Sequence, residues 1–240
     1  MKITTTKLSL LAAAAMTAFA ASAHADTIDV RFLGTGAGRN VRVSLGSNSF
    51  NTFAGQLQHE LSNGTGFGEW LTGTRFTYCT DLTQTVTTTR RTYDLVTVAD
   101  IPDSSPMGIA KSNAIHDLYV QAGGAQLASG GNSDLAAAFQ LALWEIVTDF
   151  SPSTGVSSLN LTSGSFRATK TDGSALSSAV MTQYNTLLGA IGHFGDSGPS
   201  IIGLRSDCAQ DQVTLVPAPG AVALGTLGLF CMSARRRRTA

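Results

Sequence analysis

The chain has 240 residues, with 16 basic and 16 acidic side chains and a formal net charge of zero. Six of the basic residues, Lys2, Lys7 and Arg235 to Arg238, sit at the two ends, so the stretch between carries ten basic against 16 acidic residues, about −6. That balance argues against binding nucleic acid or an anionic membrane, and only 13% of the chain is charged while Gly, Ser and Thr abound, a composition that points to a β-rich exported fold.

The N-terminus has the three parts of a secretory signal. Lys2 and Lys7 form a positive region, Leu8 to Ala21 an uncharged apolar run, and Ala23-His24-Ala25 a small-x-small cleavage site. Residues 1–25 are therefore expected to be a signal peptide, with Asp26 the mature start. From there to Val216, the 26–216 stretch is long enough for one domain with a real core.

Strand-like segments come first. Thr27 to Leu33 and Asn40 to Leu45 alternate in polarity, and Gly34-Thr35-Gly36-Ala37-Gly38 reads as a turn between them. Phe50 to His59 is a third candidate, followed by a turn at Ser62-Asn63-Gly64-Thr65-Gly66. Arg75 to Asp81, Gln84 to Thr89 and Thr92 to Val98 are rich in Thr, Val and Tyr, which suit half-buried pleated surfaces. The period then changes. Helices are expected near 107–122, 134–149 and 175–191: Gly123-Gly124 stops the first, Ser133 or Asp134 caps the second, and Ser151-Pro152 ends it. Asn160 to Ala168 and Gln212 to Val216 return to strand character. The sum is an α+β domain, mostly antiparallel β sandwich or barrel, with an inserted helical portion.

Pro217-Ala218-Pro219 breaks the chain, Gly220 to Ala234 is an uncharged run, and Arg235 to Arg238 close it. The run is shorter than the roughly 20 residues that span a bilayer as a helix, and the arginines would remain cytoplasmic. Two readings stand: a recognised and removed segment, or a plain membrane anchor.

Little in the mature stretch looks like a metal or cofactor site. His59, His116 and His193 are far apart and in no ligand spacing. Gly34 to Gly38 has the form G-x-G-x-G, but no helix follows it, so no nucleotide site is expected. Asp100 and Asp103 read as a solvated turn. No cofactor, no metal and no enzymatic turnover are expected. The cysteines say more. Cys231 lies in the tail, leaving Cys79 and Cys208, for which the default in an exported domain is a disulfide; the alternative is that Cys79 is a functional thiol. On a helical wheel, Gln140 falls among Leu135, Ile146, Phe139, Leu143 and Val147, inside an apolar arc. An unpaired amide there costs roughly 1–3 kcal/mol. Either the backbone satisfies it, or it has been consumed by attack of a cysteine thiolate, which expels ammonia and leaves an internal thioester between Cys79 and Gln140.

Two stretches carry a resemblance: Tyr78-Cys79-Thr80-Asp81 in a strand, and Gln140-Leu141-Ala142-Leu143-Trp144 in a helix. From about Phe50 to Asp149 the chain resembles the thioester domain of bacterial surface adhesins, which pairs such motifs in this order; where that family often has threonine before the glutamine, this chain has Phe139. The resemblance implies a Cys79–Gln140 cross-link that captures an amine or hydroxyl on a surface or matrix target, with Tyr78 and Trp144 packed over the bond and Asp81 orienting the strand or affecting the thiol. Residues 217–240 resemble the PEP-CTERM sorting signal read by a membrane protease of exosortase type, with Pro-Ala-Pro standing where Pro-Glu-Pro is usual. Together these imply an exported protein of the cell envelope or surface, held through its tail transiently or stably. The alternative is a noncovalent structural or matrix-associated envelope protein in which Cys79 is free or bonded to Cys208.

Overall fold

A computed structural model describes residues 25–195 and 197–217. The expected signal peptide and sorting tail, apart from Ala25 and Pro217, lie outside the described residues.

Seven strands make one antiparallel sheet: β1 (Thr27–Leu45), β2 (Asn48–Ser62), β3 (Gly73–Cys79), β4 (Arg91–Val96), β5 (Phe166–Lys170), β6 (Ile201–Arg205) and β7 (Gln212–Leu215). Their order is β2-β3-β7-β6-β4-β1-β5, and β1 also pairs with β2, so six strands close into a ring with β5 hung on the outer end of β1. The first residues of β1, Thr27 to Val30, pair with β4, and its last, Val41 to Leu45, pair with β5. The expected α+β architecture dominated by antiparallel sheet is the one observed.

The glycine run in β1 is not a turn. The strand continues through it, with breaks of register against β2 between Phe32 and Gly34 and between Thr35 and Gly38. Such irregularities bend a strand and sharpen its twist, which lets β1 leave β4 and reach β5. Two glycines make this possible. A Cβ on Gly38 would stand 2.4 Å from the carbonyl oxygen of Ala54, and one on Gly55, whose φ is +153°, would stand 2.4 Å from that of Ala37. Both obstacles are backbone, so neither can swing aside. Gly55→Ala is expected to lower stability by about 2 kcal/mol or more, measured by urea unfolding, whereas Gly46→Ala, at a hairpin with open space around it, carries only the conformational penalty.

Among the described residues there are four α-helices, α1 (Gly108–Ala122), α2 (Gly124–Ser129), α3 (Ser133–Asp149) and α4 (Ser178–Leu188), of which α2 and α3 pack on the sheet and α1 and α4 on α3. Asn132 rather than Ser133 or Asp134 caps α3, its side chain accepting from the amides of Asp134 and Leu135; Asp134 is instead ion-paired with Arg39. Ser177 caps α4, which is shorter than the expected 175–191 span. Gln84 to Thr89 is irregular chain rather than strand, and Asn160 to Ser165 is a turn leading into β5. Residues Leu135 to Ile146 of α3 are all buried. A helix apolar nearly all round belongs at the centre of a layered domain; α3 fills that place, against α4, α1 and the sheet. A second, smaller cluster is built on Ile28, Val30, Leu61, Tyr93, Leu95 and Leu204 of the strands. No helix among the described residues is long and apolar enough to cross a membrane.

Candidate functional site

Cys79 is the last residue of β3. On one side it is registered with Gln212 of β7, and the next residue continues that ladder, Thr80 donating its amide to the carbonyl of Asp211. On the other side β2 has already ended its pairing, the last partners being Leu57 and Thr77. Alternation along a strand turns the N–H and C=O of Cys79 toward that vacant side.

The carboxamide of Gln140 occupies it. The amide of Cys79 donates to Gln140 Oε1 at 3.0 Å, and Gln140 Nε2 donates to the carbonyl of Cys79 at 2.7 Å. The side chain thus behaves as one peptide group of a missing strand. It reaches there from the middle of α3, and both residues are at most 2% exposed. The sequence places Gln140 inward, and the tertiary structure supplies the residue it meets.

The thiol of Cys79 donates to the carbonyl of Asp81 at 2.9 Å. Burial pushes it far above the ordinary thiol range; the neighbouring Trp144 indole opposes this, and the charges of Asp81 and Asp211 reinforce it. Trp144 Nε1 is buried with no hydrogen-bond partner among the described residues, so its N–H is free to turn to a thiolate. Tyr78 is on the adjoining side of the strand, its ring 4.5 Å from that of Phe139 and 6.4 Å from that of Tyr119. It walls the helix contact rather than roofing the sulfur, since successive strand residues face opposite ways. A cavity of about 150 Å³ opens between the chain after β3 and the loop before α1, lined by Thr80, Asp81, Leu82, Pro102 and Trp144 among others. It brings solvent close to the site on the Trp144 side.

Asp81 folds back on the chain, Oδ1 accepting from the amide and hydroxyl of Thr83 at 2.7 and 2.6 Å; Oδ2 is buried without a partner among the described residues. Asp211 is a site residue that nothing in the sequence singles out. It is fully buried, and its carboxylate accepts from the amides of Ser206 at 2.6 Å and Asp103 at 2.5 Å. Burial raises it to about 6 against the pull of those two amides, with Asp81 and Asp103 adding to the rise. Through Asp103 it ties down the loop that lines the cavity, and through its own carbonyl it holds Thr80. Asp103 lies in an exposed turn, as expected, its carboxylate 3.7 Å from Arg205.

Cys79 and Cys208 are not bonded to each other: the first is buried, the second exposed beside the hydroxyl of Ser206 at 3.7 Å. Of the histidines, His59 is buried on Thr77 Oγ1 at 2.9 Å, and burial lowers it to about 4. Among the described residues no three His, Cys, Asp or Glu gather as a metal would require.

The carboxamide is held on the backbone of Cys79, while the thiol of the same residue is turned to the carbonyl of Asp81. In attack of Cys79 Sγ on Gln140 Cδ, negative charge would develop on Oε1, which already accepts from the amide of Cys79, a preorganised donor. The departing nitrogen already faces a carbonyl. No family model, no curated protein and no solved structure matches this chain.

Proposed function

We propose that this is an exported cell-surface protein whose Cys79 and Gln140 form an internal thioester for single covalent capture of an amine or hydroxyl on a surface or matrix partner. The supporting observation is the pair of hydrogen bonds that seat the Gln140 carboxamide on the backbone of the very residue carrying the thiol. In the forming step an S–C bond replaces the C–N bond of the amide, and the thiol proton leaves with the nitrogen as ammonia. In the capture step the nucleophile takes the carbonyl carbon, the C–S bond breaks, and the sulfur recovers a proton. Each molecule reacts once, so the protein is not an enzyme. Trp144 offers an N–H to the departing thiolate, and the cavity beside it is the approach. In the same reading, residues 1–25 direct export, and a protease of exosortase type handles residues 217–240.

One observation favours the noncovalent alternative: the thiol is buried and donates to the Asp81 carbonyl, and burial raises its pKa, which makes it a poor nucleophile. Intact mass of the exported protein decides. Loss of one ammonia, followed on treatment by uptake of one methylamine at Gln140 as its N-methyl amide, is the expected result, and Cys79→Ala should abolish both. A mass equal to the unmodified mature chain, inert to methylamine, leaves the noncovalent envelope protein. Loss of two hydrogens points to the Cys79–Cys208 disulfide.

A further inference from the structure

At the outer end of the sheet, β1 and β5 carry two cations that no carboxylate neutralises among the described residues. Arg42 faces Thr169 across the ladder and Ser44 faces Arg167. The two arginines are thus diagonal neighbours on one face, with β-carbons within about 8 Å. Among the described residues neither is in an ion pair. Arg167 donates only to the carbonyls of Gly46 and Gly164, contacts that fix its guanidinium without discharging it. This is unusual in a mature chain that carries about −6.

Both side chains line a cavity of about 440 Å³ between β5 and the segment before α4. Its wall is part apolar, from Leu161 and Met181, and part hydroxyl, from Thr162 and Thr169. The two hydroxyl protons are already used, on Asn160 Oδ1 and on the Lys170 carbonyl, so these oxygens present lone pairs to the cavity. A ligand that fits offers a carboxylate to the two arginines, hydroxyl donors to the threonines, and an apolar C–H face to Leu161 and Met181.

We infer that this cavity binds a uronate unit of an acidic polysaccharide. One guanidinium fork recognises a planar carboxylate through two parallel hydrogen bonds, and a second arginine on the same face adds positive charge. The apolar floor and acceptor rim match a sugar ring, whose hydroxyls donate and whose C–H face is apolar, better than the carboxylate side chains of an acidic peptide. The site goes beyond the thioester reading and does not depend on it.

The test is titration of the purified full-length mature protein with trigalacturonate, followed calorimetrically. Binding is expected, weakening as salt is raised, absent for the methyl-esterified trisaccharide, and unchanged in Cys79→Ala whether or not the thioester exists. Arg42→Gln, which removes a side chain making no hydrogen bond among the described residues, should weaken binding about tenfold or more. Arg167→Lys should retain part of it, and Arg91→Gln on β4 should leave it intact. The inference is overturned if trigalacturonate does not bind, if Arg42→Gln binds it as well as the parent, or if a polyglutamate peptide binds as tightly.

Discussion

Gln140→Ala is expected to be less stable than Cys79→Ala by about 3 kcal/mol in urea unfolding. Neither variant can form a thioester, so the difference isolates what the carboxamide does for the fold. Removing it leaves the N–H and C=O of Cys79 without partners in a site at most 2% exposed; two orphaned buried backbone groups cost about 1–3 kcal/mol each, and the vacated volume beside Leu141 and Leu143 adds a cavity cost. Cys79→Ala keeps both hydrogen bonds, because they run to the backbone, and loses only a buried sulfur and its contact with Asp81. Equal stability of the two variants would contradict the role given to the carboxamide as a substitute strand. The chemical role is read separately by mass, so a stable Cys79→Ala protein that no longer sheds ammonia assigns the cross-link to the sulfur and the architecture to the amide.

The second large effect concerns Glu145, which follows Trp144 on α3 and is fully buried. Oε1 accepts from the amide of Asn160 at 2.6 Å, while Oε2 and the nearby hydroxyl of Tyr184 have no partner among the described residues. Burial raises the carboxyl from its ordinary 4.5 to about 7; the Asn160 amide works against the rise and the charge of Asp149 with it. Between those two pH values the folded protein holds a proton that the unfolded chain releases. Stability from the neutral acid is therefore complete below pH 4.5 and is lost as pH climbs through 7. Glu145→Gln removes the titration, so its stability relative to the parent should improve from pH 4 to pH 8 by about 3 kcal/mol, the free energy of such a shift. Asp211, raised to about 6, and His59, lowered to about 4, titrate in both proteins and cancel in the comparison. A difference flat in pH would mean that Glu145 is ionised without cost in the folded state.

Periodicity and punctuation carried much of this protein. A 3.6-residue spacing with a cap at one end and Ser151-Pro152 at the other defines α3, and the wheel alone turns Gln140 inward. Alternation places Cys79 in a strand. Local chemistry misled where a residue type has two uses: Gly34 to Gly38 satisfy the requirements of a turn and equally those of a bent, register-shifted strand, and only the proximity of Gly38 to Ala54 and of Gly55 to Ala37 distinguishes them. Glu145 is buried by the chain around Asn160 and by α4, a contact that no local period encodes.

What the sequence determined by itself was an antiparallel α+β domain and one polar residue on an apolar helix face, because these follow from neighbours within a few positions. The tertiary structure decided that β2 stops pairing two residues short of Cys79, that α3 crosses at that gap, and that Asp211 anchors the loops beside it. Residues 61 and more than 130 positions apart meet there through sheet register and helix packing, which no local period encodes.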